Sequence, residues 1–240
     1  MRTIAILMLV GALAGCSKDR HGGDEVAASG GGTTRTYTVT DFSGIDLAGA
    51  DDVDVRVGTG FSVRAEGPAK ELDSLRIVRD GDTLRIDRHE RALISWGNKG
   101  AKVFVTMPRL TAATLSGSGT MTVDRIEGGS FTADIKGSGD LDIAALTSNR
   151  AEVDIRGSGD IHAAGAVQQL TVSVAGSGAF DAAGLKAQRA EVALRGSGDV
   201  RAAVTGEARV TLSGSGDVDL GAAARCQIDK KGSGEVRCGR

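Results

Sequence analysis

The carboxylates of this chain recur with a regularity that would suit cation binding or acid–base chemistry. The tripeptide Gly-Ser-Gly begins at Gly117, Gly137, Gly157, Gly176, Gly196, Gly214 and Gly232, in steps of 20, 20, 19, 20, 18 and 18 residues. The residue after it is Thr120, Asp140, Asp160, Ala179, Asp199, Asp217 or Glu235. Two positions further on stand Thr122, Asp142, His162, Asp181, Arg201, Asp219 and Arg237. If the repeats stack at a strand spacing, Asp140 lies over Asp160 and Asp199 over Asp217, about 5 Å apart. Each pair repels by about 1 kcal/mol in water before salt screening, and oxygen ligands so gathered attract a divalent cation. Two considerations favour a plain solvated edge. Lys136, Arg156, Arg195 and Lys231 run alongside, and an Asp beside a Ser readily serves backbone N–H groups at a bend. The motif also differs from the glycine-rich nonapeptide that binds calcium in other solenoids.

Catalysis finds little support. His21, His89 and His162 have no obvious partners, and no Cys/His spacing suits a metal. Gly-Ser-Gly-Asp is not the Gly-x-Ser-x-Gly elbow, which needs a strand–turn–helix setting. The paired carboxylates arise from repetition and not from a glycosidase-like pair. No cofactor is implied. A sugar-binding face would favour exposed aromatics, yet Phe131 and Phe180 fall on the inward parity. Trp96, in the segment Ile94-Ser95-Trp96-Gly97-Asn98-Lys99-Gly100, is either a surface contact or a residue packed in a cap, and packing is the simpler reading. Cys226 and Cys238 lie six residues before and six after Gly232. Both occupy inward positions, and in an oxidising compartment they are expected to form a disulfide closing the C-terminal end. The other reading is two buried thiols.

The chain start sets the compartment. Arg2 precedes the apolar run Ile4 to Leu13, too short for a bilayer, which needs roughly 20 residues, but suited to a signal peptide. It ends in Leu13-Ala14-Gly15-Cys16, which looks like a bacterial lipobox. Residues 1–15 are therefore expected to be removed and Cys16 to carry lipid, two or more acyl chains giving stable anchoring. Ser17 favours the outer membrane over inner-membrane retention. Residues 16–34, rich in Gly, Ser and charge, read as a flexible tether. Loss of Arg2 moves the formal charge from −2 to −3, and nothing basic suggests nucleic acid.

These residues need a scaffold that repeats with them. Ala151, Val153, Ile155, Gly157, Gly159, Ile161 and Ala163 share one parity, and Glu152, Asp154, Arg156, Ser158, Asp160 and His162 the other. Neighbouring strand residues point to opposite faces, so one face is apolar and the other charged, and the alternation runs straight through the motif. A unit of this length buries its apolar face only by stacking on its copies. The expected fold is all-β: a parallel β-solenoid, a single-stranded β-helix, with coils of about 18–20 residues. The inward glycines mark where the coil bends and has no room for a Cβ. Leu146-Thr147-Ser148-Asn149 and Thr205-Gly206-Glu207 read as return turns. Lys230 departs from the pattern, falling at an inward position in the last copy.

Residues 111–240 form the regular stack. Residues 35–110 form a less regular N-terminal β region. It contains a degenerate copy, Ile45 to Val55, with Asp51 at the second glycine; one or two helical turns from Pro68; and a hairpin turning at Asp80-Gly81. A strand at Lys102 to Met107 closes the region before Pro108. It caps the open strand edges that a solenoid otherwise leaves.

The segment Phe42-Ser43-Gly44-Ile45, the Asp-Gly hairpin, Val103 to Pro108 and the repeated Gly-Ser-Gly-Asp-Val type motif resemble the bacterial GIN-domain family, head domains of auto-transporter adhesins, over roughly residues 36–240. The resemblance implies a right-handed, pectin-lyase-like β-helix, often on a lipoprotein, and adhesion at the family level. It brings no catalytic residues. The expectation is a non-catalytic cell-envelope adhesion module that meets the membrane through lipid and binds an envelope protein or glycan. The alternative is a structural or envelope-stress accessory protein, with a polysaccharide-active enzyme third. The oligomeric state stays open.

Overall fold

The computed structural model describes residues 23–89 and 100–239. Cys16, His21 and Trp96 lie outside the described residues. The chain begins with the short strands β1 (Asp24–Glu25), β2 (Ala28–Ser29) and β3 (Thr34–Tyr37). Then come β4 (Gly44–Gly49), β5 (Asp52–Val57), β6 (Ser62–Glu66), helix α1 (Ala69–Ser74), β7 (Leu75–Asp80), β8 (Thr83–Arg88) and β9 (Lys102–Met107). The regular part holds β10 (Ala112–Gly117), β11 (Thr120–Val123), β12 (Ile126–Gly137), β13 (Asp140–Gly157), β14 (Ile161–Gly176) and β15 (Phe180–Gly196). It ends with β16 (Val200–Val204), β17 (Glu207–Gly214), β18 (Val218–Asp219), β19 (Arg225–Lys231) and β20 (Val236–Arg237). From β10 onward every pairing is parallel and connects successive coils. The protein is a β-solenoid of about six turns.

The strict alternation of apolar residues produces two interior ladders. Leu47, Leu115, Ile135, Ile155, Val174, Leu194 and Leu212 are in register on one side of the motif. Val53, Met121, Leu141, Ile161, Phe180, Val200 and Val218 are in register on the other. All are buried, as are Phe131 and Phe180. At about 25 cal/mol per Å² of apolar surface, this burial drives the stacking.

The first layers are stacked out of chain order. β4 and β5 pair in parallel with β10 and β11 above and with β8 and β9 below. The chain thus lays down its second layer first, drops to build the lowest, then climbs past both. Below, antiparallel pairs continue the sheet: β8 with β7 and β7 with β1, then β9 with β6, β6 with β3 and β3 with β2. This is the N-terminal cap. The degenerate copy is in the register read from the sequence, with Gly49 beside Gly117 and Val53 beside Met121.

Four local expectations change. The body begins by Asp24, inside the segment read as a tether. β1 and β2 join through backbone bonds while their side chains stay exposed, so no hydrophobic pattern betrays them. The hairpin loop is Gly81-Asp82, one residue later than expected, because Asp80 pairs with Thr83 and Gly81 supplies the positive φ of 60°. Leu146 to Asn149 is no turn. It lies within the continuous strand β13, and Leu146, Thr147 and Ser148 are paired on both sides. The Gly-Ser-Gly motif, by contrast, does interrupt the strand. In every coil a strand ends at or just before its first glycine and resumes past its second. The inside–outside alternation persists, since the second glycine is buried, but the first is half-buried, and exposed at Gly232 in the last coil.

Candidate binding faces of the solenoid

The corner shows what the motif does. The Gly137 carbonyl accepts the N–H of both Ser158 and Gly159, at 2.8 and 3.1 Å. Gly157, Gly176 and Gly196 repeat the forked bond with the next coil. A Cβ on either glycine would lie against a main-chain oxygen of the coil beneath, far inside van der Waals contact. The first glycine also holds φ between 118° and 144° along the stack, which L side chains avoid. The serines are left exposed, and Ser233 Oγ donates to Ser215 Oγ at 3.0 Å.

The aspartates beside them are engaged in the same way. Asp140 Oδ1 accepts the N–H of Asp160 at 3.2 Å, and Asp160 Oδ1 that of Ala179 at 2.7 Å. Asp199 Oδ1 accepts from Asp217 N–H at 3.1 Å, and Asp217 Oδ1 from Glu235 N–H at 2.8 Å. The second oxygen of Asp199 pairs with Arg201. Each carboxylate thus spends an oxygen on the coil above, the backbone role that competes with the cation reading. Among the described residues no group of three or more His, Cys, Asp or Glu side chains could hold a metal ion.

Two grooves run along the outer faces. One, of about 700 Å³, is lined by Asp54, Thr122, Asp142, His162 and Asp181. There the exposed His162 stands between Asp142 and Asp181 of the neighbouring coils. The other, of about 920 Å³, runs along the C-terminal half. One wall is Gln169, Arg189, Glu207 and Arg225, a column set by strand register that Arg150 continues one coil beyond the groove. The other is Thr171, Glu191, Arg209 and Gln227, a column that Glu152 continues. Between them runs the main chain at Leu170, Ala190 and Ala208, whose side chains turn into the core. Three outward cations elsewhere are matched two residues back: Lys136 with Asp134 at 2.8 Å, Arg156 with Asp154 at 2.7 Å, Arg237 with Glu235 at 2.9 Å. Arg189, Arg209 and Arg225 make no ion pair or side-chain hydrogen bond among the described residues. Arg150 bonds only Gln169, at 3.2 Å. Sequence reading passed over this groove because its residues belong to the variable part of each repeat.

Two further clusters hold the ends. Asp51, at the glycine position of the degenerate copy, is buried and takes Arg88 Nε at 2.8 Å and the Ala101 N–H at 2.8 Å. Arg88 also reaches Glu71 at 2.5 Å and Ser74 at 3.0 Å, and its hydrogen bonds to Asp51 raise its pKa further. This ion cluster replaces, in the cap, the glycine corner of the regular coils. At the other end Cys226 and Cys238 are joined by a disulfide, with Cα atoms 6.2 Å apart. Both are partly buried against the core.

A family model described as "Putative auto-transporter adhesin, head GIN domain" matches residues 41–224. The chain belongs to this family. As a GIN-domain protein it shares its fold with solved structures. A "putative adhesin" from Bacteroides fragilis matches with 22% identity and a TM-score of 0.77, over 85% of this chain and 95% of that one. A "putative lipid binding protein" from Parabacteroides distasonis matches at 20% and 0.67, over 86% and 96%. A "putative adhesin" from Parabacteroides merdae matches at 17% and 0.68, over 87% and 96%. No protein of curated function matches this GIN-domain chain.

Proposed function

We propose that this protein is a non-catalytic cell-envelope adhesion module, held to the outer membrane by lipid on Cys16, that binds an extended surface ligand along its solenoid. The carrying observation is the register. Outward side chains repeat coil over coil in straight columns, so the molecule presents a long periodic face and not a single enclosed cleft. The GIN family and the two neighbours named as adhesins support the reading, and the lipobox supports the anchor. The neighbour named for lipid binding draws no support from this interior, whose two ladders fill the core with side chains.

The test is attachment. Purified protein should bind whole cells or envelope polysaccharide in a saturable manner. Recovery of one stable envelope protein, with no binding to cells or glycans, would instead favour the accessory-protein reading. Labelled palmitate should mark the wild-type chain and not Cys16→Ala; equal labelling would remove the anchor from the proposal.

A further inference from the structure

We infer that the arginine-lined groove is a track for an acidic polysaccharide that carries its charge on alternate sugars. This rests on the surface-binding reading above and gives it a ligand class. In the column Arg150–Gln169–Arg189–Glu207–Arg225, whose last four members line the groove, a guanidinium occurs on every second coil. Coils stack at a strand spacing, so the guanidiniums recur at about 9.6 Å. A sugar in an extended glycan advances by about one coil spacing, half that distance. A disaccharide with one carboxylate therefore keeps step with two coils and presents one acid to each arginine.

The chemistry of the remaining positions agrees. A guanidinium takes a carboxylate through two parallel hydrogen bonds. Arg189 and Arg225 are free to do so, having no ion pair among the described residues. Gln169 and Glu207, at the intervening coils, accept hydrogen bonds from the hydroxyls of an uncharged sugar. The opposite wall offers Thr171, Glu191, Arg209 and Gln227 to hydroxyls on the far edge. The carboxylates also set selectivity. A polymer charged on every sugar would bring an acid against Glu207, and a neutral polymer would leave the guanidiniums unpaired. A protein partner would give no reason for a two-coil period.

The experiment titrates the full-length protein, in detergent, with hyaluronan oligosaccharides, polygalacturonate and pullulan. These carry one carboxylate per disaccharide, one per sugar and none. Hyaluronan should bind tightest, and Arg189→Ala should weaken it about tenfold, the worth of one charge-assisted pair. Its affinity should fall as salt rises. Arg156→Ala, which loses pairs with Asp154 and Asp134 away from the groove, should bind as wild type. Equal affinity for polygalacturonate overturns the alternate-charge requirement, and equal affinity for pullulan overturns the role of charge. Unchanged affinity in both Arg189→Ala and the Arg150→Ala/Arg225→Ala variant removes the groove. If no polymer binds but the protein still attaches to cells, this inference fails while the adhesion reading stands. If attachment is lost as well, both fail. Attachment that survives glycosidase treatment of the cells and is abolished by protease points to a protein and overturns the glycan assignment.

Discussion

At the scale of single residues, the corner glycines are fixed by sterics. Gly157→Ala would place a methyl against the Gly137 carbonyl at φ 135°. A loss of about 2–4 kcal/mol is expected. Gly129, with nothing within 4 Å of its Cβ direction, should tolerate alanine with little change. Chemical denaturation of the two variants decides this. Asp87 gives a pH prediction. Burial acts to raise its pKa, but hydrogen bonds from Arg76 and Arg85 outweigh it and hold the carboxyl below the usual range. A depressed carboxylate contributes stability above its unfolded pKa, about 4, and loses it as pH falls through the folded value. Wild type should therefore lose stability below about pH 4 more steeply than Asp87→Asn, measured by melting across pH. The glycines were legible in the sequence because they repeat. Their reason was not, since neither the forked carbonyl nor the coil beneath it is a local property. The same holds for Asp140, Asp160, Asp199 and Asp217, whose spacing suggested a ligand while their oxygens face main-chain N–H groups.

At the scale of elements, the last coil is held differently from the others. β19 is exposed along most of its length, with Ile228 at 47%, and the Cys226–Cys238 disulfide ties it to the residues after β20. Replacing both cysteines by alanine should cost about 2–3 kcal/mol, for a loop of this length. Hydrogen exchange should show the loss first in β19 and β20, leaving β13 to β15 protected. Loss spread evenly along the stack would contradict this. The parity of apolar residues made the strands readable from sequence, because a ladder of Leu, Ile and Val at every second residue has few other uses. Boundaries were less so. β13 passes through this segment without a break because Leu146, Thr147 and Ser148 have paired neighbours on both sides. The pairing of β1 and β2 depends on partners 53 and 9 residues away, at Val78 and Tyr37.

At the scale of the whole molecule, the two ends are finished by different means. The lower edge turns into antiparallel strands, ending in two strands of two residues each. At the upper edge Lys230 stands where Leu212 stands one coil below, and Lys231 follows it. Lysine on an edge strand, at an inward position, opposes further pairing. Lys230→Leu should therefore promote end-to-end association, read as a concentration-dependent rise in sedimentation; a variant that stays as dispersed as wild type would argue against this role. The overall architecture was evident from the seven motif copies alone. The charge cluster of Asp51, Arg88 and Glu71 was not, because it joins positions up to 37 residues apart in the least regular part of the chain.

The out-of-order layering of β4 and β5 bears on how the molecule comes to be built. A parallel coil with nothing beneath it has no ordered edge to add to, and closing distant contacts without a template is slow. Here the strands from Gly44 to Val57 become a shelf with neighbours on both sides by the time the chain reaches Val123. That trilayer is complete about halfway along the polypeptide. Every later coil needs only its predecessor, so growth proceeds by accretion in one direction, like thread wound onto a spool that was made first. Whole coils removed from the far end should shorten the spool without unwinding it. Removing the shelf would leave the thread with nothing to wind on.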